Sequence, residues 1–300
     1  RDSSRCPPTT GGRSRAMDKP AEKKPPSKRP HTITKEMMVR YSNLTRVKGM
    51  SESTYLKKIT HLHLGEKKIR SLSEAEYGIC KNLRVLYLQG NHIPKLEPPL
   101  PFKKLTHLYL QNNDIAKIEG LDQAENLSKL YLNGNRISSL DGLQRCTQLT
   151  ELHLSDQRLE EGQSMDLNPA ALKAIGKTLT VLTMANAGVR RLEPLLVLSS
   201  LVSLDVSRNL VEDMKDVCRY TGGAVVLEEL QLAGNPVSKT RKYRERIVVS
   251  SHLSKLDDKD ILDQERQFLK AMKAKRGGKK SKQESKTQGL QGPLFVGYSS

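Results

Sequence analysis

An eleven-residue segment, Leu83-Arg84-Val85-Leu86-Tyr87-Leu88-Gln89-Gly90-Asn91-His92-Ile93, returns as Leu105 to Ile115 and again as Leu127 to Ile137. The shared pattern is L-x-x-L-x-L-x-x-N-x-I. A unit this short cannot bury its apolar side chains alone, so units that recur must stack on one another and share one continuous core. Further units begin at Ile59, Leu149, Leu179, Leu201 and Leu227, and four of the seven intervals are 22 residues, the others being 24, 30 and 26. A solenoid follows from the spacing, and its function must lie on a surface.

The pattern is that of the leucine-rich repeat. The expected fold is therefore α/β: a leucine-rich-repeat solenoid of about eight 22-residue-type repeats, with a parallel concave sheet, short convex helices, a C-terminal cap and a final helix. Each leucine faces the core, and the asparagine side chain bonds backbone groups where the strand ends. Asn91, Asn113, Asn135, Asn209 and Asn235 keep that residue, whereas Lys67, Gln157 and Ala187 replace it. The ladder is accordingly expected to be weakest around the fifth and sixth units. The longest interval contains Asn168-Pro169, a helix-start signal, followed by Leu172 and Ile175, so a convex helix is expected there in a structural role.

Both ends of the array depart from the repeat. Residues 1–32 are rich in Lys, Pro and Gly and form an expected disordered basic tail; 33–55 are expected to cap the core, with Thr34 starting a helix that ends near Tyr41. The repeats occupy 56–238 and a cap occupies 239–258. Residues 259–276 are expected to form a helix that ends at Gly277-Gly278, leaving 277–300 as a second basic disordered tail.

The net charge of +18 resembles a nucleic-acid signature until it is located. Residues 1–50 carry 13 Lys/Arg against 4 Asp/Glu, and residues 266–300 carry 9 against 1. The intervening body, with 29 basic and 28 acidic residues, is nearly neutral and has no stripe suited to phosphates, which argues against a nucleic-acid partner. No apolar run approaches the length of a membrane span, and none of signal-peptide type lies near residue 1, so no membrane partner and a cytoplasmic location are expected. Cys6, Cys80, Cys146 and Cys218 make no C-x-x-C pair; Cys80 and Cys146 precede repeat leucines by three residues and are expected to be buried thiols.

In a strand of this motif the residue between two core leucines points outward. The central outward column is His63, Tyr87, Tyr109, Tyr131, His153, Thr183, Asp205 and Gln231. At roughly 4.8 Å per strand, eight rungs span about 34 Å. Flanking it, His61, His107, Lys129, Glu151 and Glu229 fall on one side, Gln89 and Gln111 on the other. Tyrosines in three consecutive rungs mark a protein-binding strip, because tyrosine pairs a large apolar ring with a polar tip. The candidate partner-binding residues are His61, His63, Tyr87, Gln89, His107, Tyr109, Gln111, Lys129, Tyr131, Glu151, His153, Asp205 and Glu229. No catalytic set and no cofactor is expected. His61-x-His63 lacks a third metal ligand nearby, and Gly176-Lys177-Thr178 has Ala171 where a phosphate loop needs glycine.

The 22-residue repeats and cap resemble the leucine-rich-repeat regulators of protein phosphatase 1. The resemblance runs from about Ile33 to Lys280. It is carried by Leu56-Lys57-Lys58-Ile59-Thr60-His61, Asp156-Gln157-Arg158-Leu159, Gly234-Asn235-Pro236-Val237, Lys242-Tyr243-Arg244-Glu245-Arg246 and Glu265-Arg266-Gln267-Phe268-Leu269. It implies a non-enzymatic subunit that holds the phosphatase catalytic subunit on its concave face. It further implies association with tubulin or other cytoskeletal and axonemal proteins, at the centrosome, cilium or flagellum. The short basic-valine-any-aromatic docking motif of many phosphatase regulators is incomplete here: Arg46-Val47-Lys48-Gly49 lacks the aromatic, and Arg84-Val85-Leu86-Tyr87 is consumed by a repeat strand.

Overall fold

The computed structural model describes residues 32–45, 48–72, 76–97 and 100–288. In chain order the elements are α1 (Lys35–Arg40), α2 (Glu52–Lys58), β1 (His61–His63), β2 (Val85–Tyr87), β3 (His107–Tyr109), β4 (Lys129–Tyr131) and β5 (Glu151–His153). There follow α3 (Pro169–Ile175), β6 (Val181–Thr183), β7 (Ser203–Asp205), α4 (Met214–Gly223), β8 (Glu229–Gln231), α5 (Tyr243–Ser250), β9 (Lys255–Leu256), β10 (Lys259–Asp260) and α6 (Asp263–Gln288). Short 3-10 turns at Glu76–Ile79, Glu193–Val197 and Pro236–Lys239 complete the set.

All ten strands form one sheet in sequence order, parallel from β1 to β9, with β10 antiparallel to β9. Register follows the leucine of the repeat: Leu62, Leu86, Leu108, Leu130, Leu152, Leu182, Leu204, Leu230 and Leu256 lie opposite one another from strand to strand. All are buried. A one-residue slip would turn that row to solvent, so the apolar period pins the pairing.

The asparagines stitch each turn to its neighbour. Asn113 Nδ2 donates to Leu88 O (2.9 Å) and Leu110 O (3.0 Å), and its Oδ1 accepts from Ile93 N (3.1 Å). The expected weak point at the fifth unit is corrected by Gln157. Its amide donates to Leu132 O (2.9 Å) and Leu154 O (3.1 Å) and accepts from Ile137 N (2.9 Å), the same three bonds with one more methylene. At the sixth unit Ala187 supplies none. The Leu159 amide that it leaves unserved donates to Gln157 O (3.0 Å), and Ala187 N is taken by Asn209 Oδ1 (3.0 Å). The pairing of β5 with β6 is unbroken.

Helices appear on the convex side mainly where the interval is long. The 30-residue and 26-residue intervals hold α3 and α4, whereas β2 to β5 are linked by turns and extended chain. A helix advances only about 1.5 Å per residue, so a 22-residue coil has too few residues to return across the core by helix. As expected, Asn168 caps α3, its Oδ1 accepting from Ala170 N (2.9 Å) and Ala171 N (3.1 Å), with Leu172 and Ile175 buried. Convex turns approach closely at Gly142: at φ +99° a Cβ would sit 1.6 Å from Ile118 O. Cys80 and Cys146 are buried, and burial pushes both thiols up, to about 11 and about 12.

Caps close both ends. Thr34 caps α1 by accepting from Met37 N (3.3 Å), and Met38 is buried. Residues 41–43 add an antiparallel edge against β1, with His63 N donating to Tyr41 O (2.8 Å) and Asn43 N to His61 O (3.2 Å). At the other end Tyr243 donates to Asp257 Oδ2 (2.8 Å), while Asp257 Oδ1 accepts from Leu232 N (2.7 Å). Arg244 grips Glu265 with two bonds of 2.9 Å, and Arg266 donates to Val248 O, Ser251 O and Leu253 O, seating α6 on α5.

The final helix differs from expectation. Residues 259 and 260 pair as β10, and α6 passes through Gly277-Gly278 to Gln288. Two glycines cost about 1 kcal/mol each, but neither forces a stop, and the surrounding Lys, Ala, Gln and Glu favour helix. The tail expected at 277–300 is thus helical as far as 288, and the expected tail at residues 1–31, like 289–300, lies outside the described residues.

Candidate partner-binding face

Because the strands are parallel and in register, the third residue of each one stacks above its counterpart. His63 and Tyr87 lie with ring centroids 4.5 Å apart, Tyr87 and Tyr109 4.6 Å, Tyr109 and Tyr131 4.6 Å, and Tyr131 and His153 4.4 Å. Interplanar angles run from 4° to 13°. Strand spacing alone places the rings near contact, and an offset stack is a favourable arrangement for aromatic groups. The five rings form one continuous plate across β1 to β5.

The stack decides what the strip can offer. Each inner ring has its π faces covered by neighbours, so the concave surface presents ring edges and hydroxyls. Cation-π contact falls instead to Tyr41 on the added edge, where Lys67 Nζ stands 4.3 Å and Arg40 Cζ 5.5 Å from the ring centroid. The plate ends at β6, where His153 Nδ1 meets Thr183 Oγ1 (3.1 Å).

On one flank the charges pair internally. Lys129 Nζ is 2.7 Å from Glu151 Oε1, and the Tyr131 hydroxyl donates to Glu151 Oε2 (3.2 Å). Burial works to raise the Glu151 pKa, but the Lys129 hydrogen bond and charge outweigh it, and the carboxyl titrates below its ordinary value. Burial beside Glu151 lifts Tyr131 to about 12. His153 and His107 are both lowered, chiefly by burial, with Lys129 adding to the effect, so both favour the neutral form. His61 and His107 hold the hydroxyls of Thr60 (3.0 Å) and Thr106 (2.9 Å) through Nδ1. Val85, in the same column, is buried.

On the other flank Gln89 and Gln111 follow the tyrosines. Gln89 folds over Gly65, where a Cβ would meet its Nε2 at 2.6 Å, so the glycine makes room for the amide. Gln89 Oε1, Gln111 Oε1 and His153 Nε2 are shielded from solvent yet make no hydrogen bond. The distance from His153 Nε2 to Glu151 Oε2, 3.8 Å, is too long for one. Three unpaired polar atoms thus lie in and beside the aromatic plate.

Eleven of the thirteen candidate residues gather on β1 to β5 and the turns after them. Asp205 and Glu229 do not join them. They stand on β7 and β8, where Asp205 Oδ1 accepts from its own turn at Ser207 N (2.9 Å) and Glu229 Oε2 lies 3.3 Å from Ser203 Oγ, forming a separate acidic end. Tyr41 and Lys67 belong beside the plate but carry no repeat signature. Arg158, which has no place in the outward columns of the repeat, reaches back two units to donate to Asn113 O and to Asp114 Oδ1 (3.2 Å). Arg84-Val85-Leu86-Tyr87 runs into β2 with Val85 and Leu86 buried, and Arg46-Val47 lies outside the described residues. Among the described residues, no three His, Cys, Asp or Glu side chains group to hold a metal, and no helix is long and apolar enough to cross a membrane.

The family model for leucine-rich repeats in two copies matches residues 81–123 and 125–161. The fold is that of a leucine-rich-repeat solenoid. Its structure is similar to that of an internalin (inlF) from Listeria monocytogenes, with a TM-score of 0.54 and 24% identity, over 71% of this chain and 59% of that one. It is also similar to internalin C2 from the same organism, with a TM-score of 0.58 and 20% identity, over 74% of this chain and 90% of that one. The chain therefore spans less than two thirds of inlF, and at such identities the likeness concerns the fold. Leucine-rich-repeat proteins in general bind other proteins, and an open sheet with an aromatic plate gives this one a surface for doing so.

Proposed function

We propose that this chain is a non-catalytic binding scaffold that acts as a regulatory subunit of protein phosphatase 1 at microtubule-based structures, of the kind represented by protein phosphatase 1 regulatory subunit 42. The observation that carries the binding role is the five-ring plate from His63 to His153, semi-polar, rigid and bordered by unsatisfied polar atoms. Rigid aromatic surface loses little conformational entropy on docking, which is why such groups anchor interfaces. The phosphatase assignment rests on the sequence resemblance, and the burial of Val85 removes Arg84-Val85-Leu86-Tyr87 as a linear docking motif, which supports the sheet as the docking surface in this reading. In a pull-down of the catalytic subunit by the full chain, Y87A/Y109A/Y131A should abolish capture; capture at full strength would overturn the concave-site reading.

A second reading, a structural component of the axoneme or microtubule cytoskeleton without phosphatase regulation, is favoured by the concentration of positive charge in residues 1–50 and 266–300. Contacts of that kind with acidic tubulin weaken steeply with salt. Co-sedimentation with microtubules that is unchanged between about 50 and 300 mM salt would rule it out.

A further inference from the structure

A groove of about 410 Å³ runs between α5 and α6, on the C-terminal cap and away from the concave sheet. Val249, Leu269 and Met272 line it with apolar side chains, while Lys242, Arg246 and Lys273 supply cations. The one acid in the lining among the described residues, Glu245, lies 3.6 Å from Lys242. Arg246 and Lys273 are exposed and have no ion-pair partner among the described residues. The groove thus carries an apolar lining and an uncompensated positive rim.

We infer that this groove docks an acidic peptide segment of a partner protein, one whose apolar side chains enter between the helices while its carboxylates meet Arg246 and Lys273. The two parts of the lining exclude simpler occupants. A purely apolar segment would leave the cations desolvated without partners, and a polyanion without apolar groups would leave Leu269 and Met272 in water. The cap is built to hold the helices apart at this spacing. Arg244 and Arg266 tie α6 to α5 and to the turn beyond it at Leu253, so the groove exists before a ligand arrives. The inference is independent of the phosphatase reading, because no residue of the concave strip takes part.

The test uses the full chain and a fluorescein-labelled peptide of alternating Glu and Leu, with an all-Glu and an alternating Lys and Leu peptide of equal length as comparators. The Glu-Leu peptide should bind, with affinity at least about tenfold above either comparator and about tenfold reduced by R246E/K273E. A tenfold change corresponds to about 1.4 kcal/mol. Both substitutions are at exposed positions, and unchanged thermal unfolding will show that the cap is intact. Cys218 also lines the groove, so bound peptide should slow its alkylation by iodoacetamide, read by mass spectrometry of the digested chain. Equal binding of the all-Glu peptide would place the interaction on the basic termini and overturn the proposal. So would alkylation of Cys218 at the same rate with and without saturating peptide, or sedimentation showing a dimer of the free chain that R246E/K273E dissociates.

Discussion

Lys129 Nζ stands 2.7 Å from Glu151 Oε1 across β4 and β5, where the aromatic plate reaches its last tyrosine. The pair joins two opposite charges that flank the plate, and Glu151 also receives the Tyr131 hydroxyl, through Oε2, at 3.2 Å. Charge and stacking are therefore one arrangement, and its parts can be separated by measurement.

The stack should show pairwise coupling. Adjacent aromatic pairs contribute about 0.5–1.5 kcal/mol beyond their buried area, and Tyr109 belongs to two such pairs. Tyr109→Ala should lower unfolding stability by about 1–3 kcal/mol. A double-mutant cycle of Tyr87→Leu with Tyr109→Leu, measured by urea denaturation, should give a coupling above about 0.5 kcal/mol. Additive effects would mean that the rings merely lie side by side.

Acid should loosen the same region. Glu151 has a folded pKa below its ordinary value, and its contribution is present above that value and lost as pH falls through the folded one. His153 and His107 are also depressed, so the neutral imidazole favours folding above about pH 6.5 and the advantage is lost as pH falls through their lower folded values. The melting temperature should drop from pH 7.5 to pH 5, and His153→Gln should flatten that drop. Below about pH 4.5 Glu151→Gln should flatten the remainder.

Asparagine and glutamine should be equivalent in the ladder but not replaceable by apolar residues. Asn135→Ala removes donors to Leu110 O and Leu132 O and the acceptor of Ile115 N, all buried, at an expected cost of about 2–4 kcal/mol. Gln157→Leu should cost a similar amount, showing that the fifth unit is held by its side chain. A change below about 0.5 kcal/mol would mean that water or backbone shifts replace those bonds.

Gly142→Ala should destabilise the convex side by at least about 2 kcal/mol, because the residue has φ +99° and an added Cβ would collide with the Ile118 carbonyl. Gly162, at φ +82° with open space around it, is the comparison: Gly162→Ala should cost only the backbone strain, about 1 kcal/mol. Thermal unfolding of the two variants gives the difference directly.

Arg266→Ala should free α6 without unfolding the repeats. Its guanidinium serves three carbonyls at the end of α5 and the turn after it, so amide exchange across 263–275 should quicken by about tenfold or more while the β2 to β5 leucine amides stay protected. Uniform acceleration across the chain would show that the cap and repeats open together.

The recurrence of L-x-x-L-x-L-x-x-N determined the solenoid, the strand register and the outward column of tyrosines, since a period of two within each strand and a period of 22 between them leave one arrangement that buries every leucine. The helix at Pro169 and the Thr34 cap were legible for the same local reasons. Tertiary structure alone decided the rest. That Gln157 serves as an asparagine depends on carbonyls of Leu132 and Leu154 brought together by stacking. Tyr41 reaches the plate only because residues 41–43 pair antiparallel with β1, and α6 outlasts its glycines because no residue there forbids helix. Asp205 and Glu229 share the sheet with the tyrosines yet stand apart from them, since the continuous plate ends at the Thr183 rung. Such relations join residues 20 to 45 positions apart through space, where sequence periodicity carries no information.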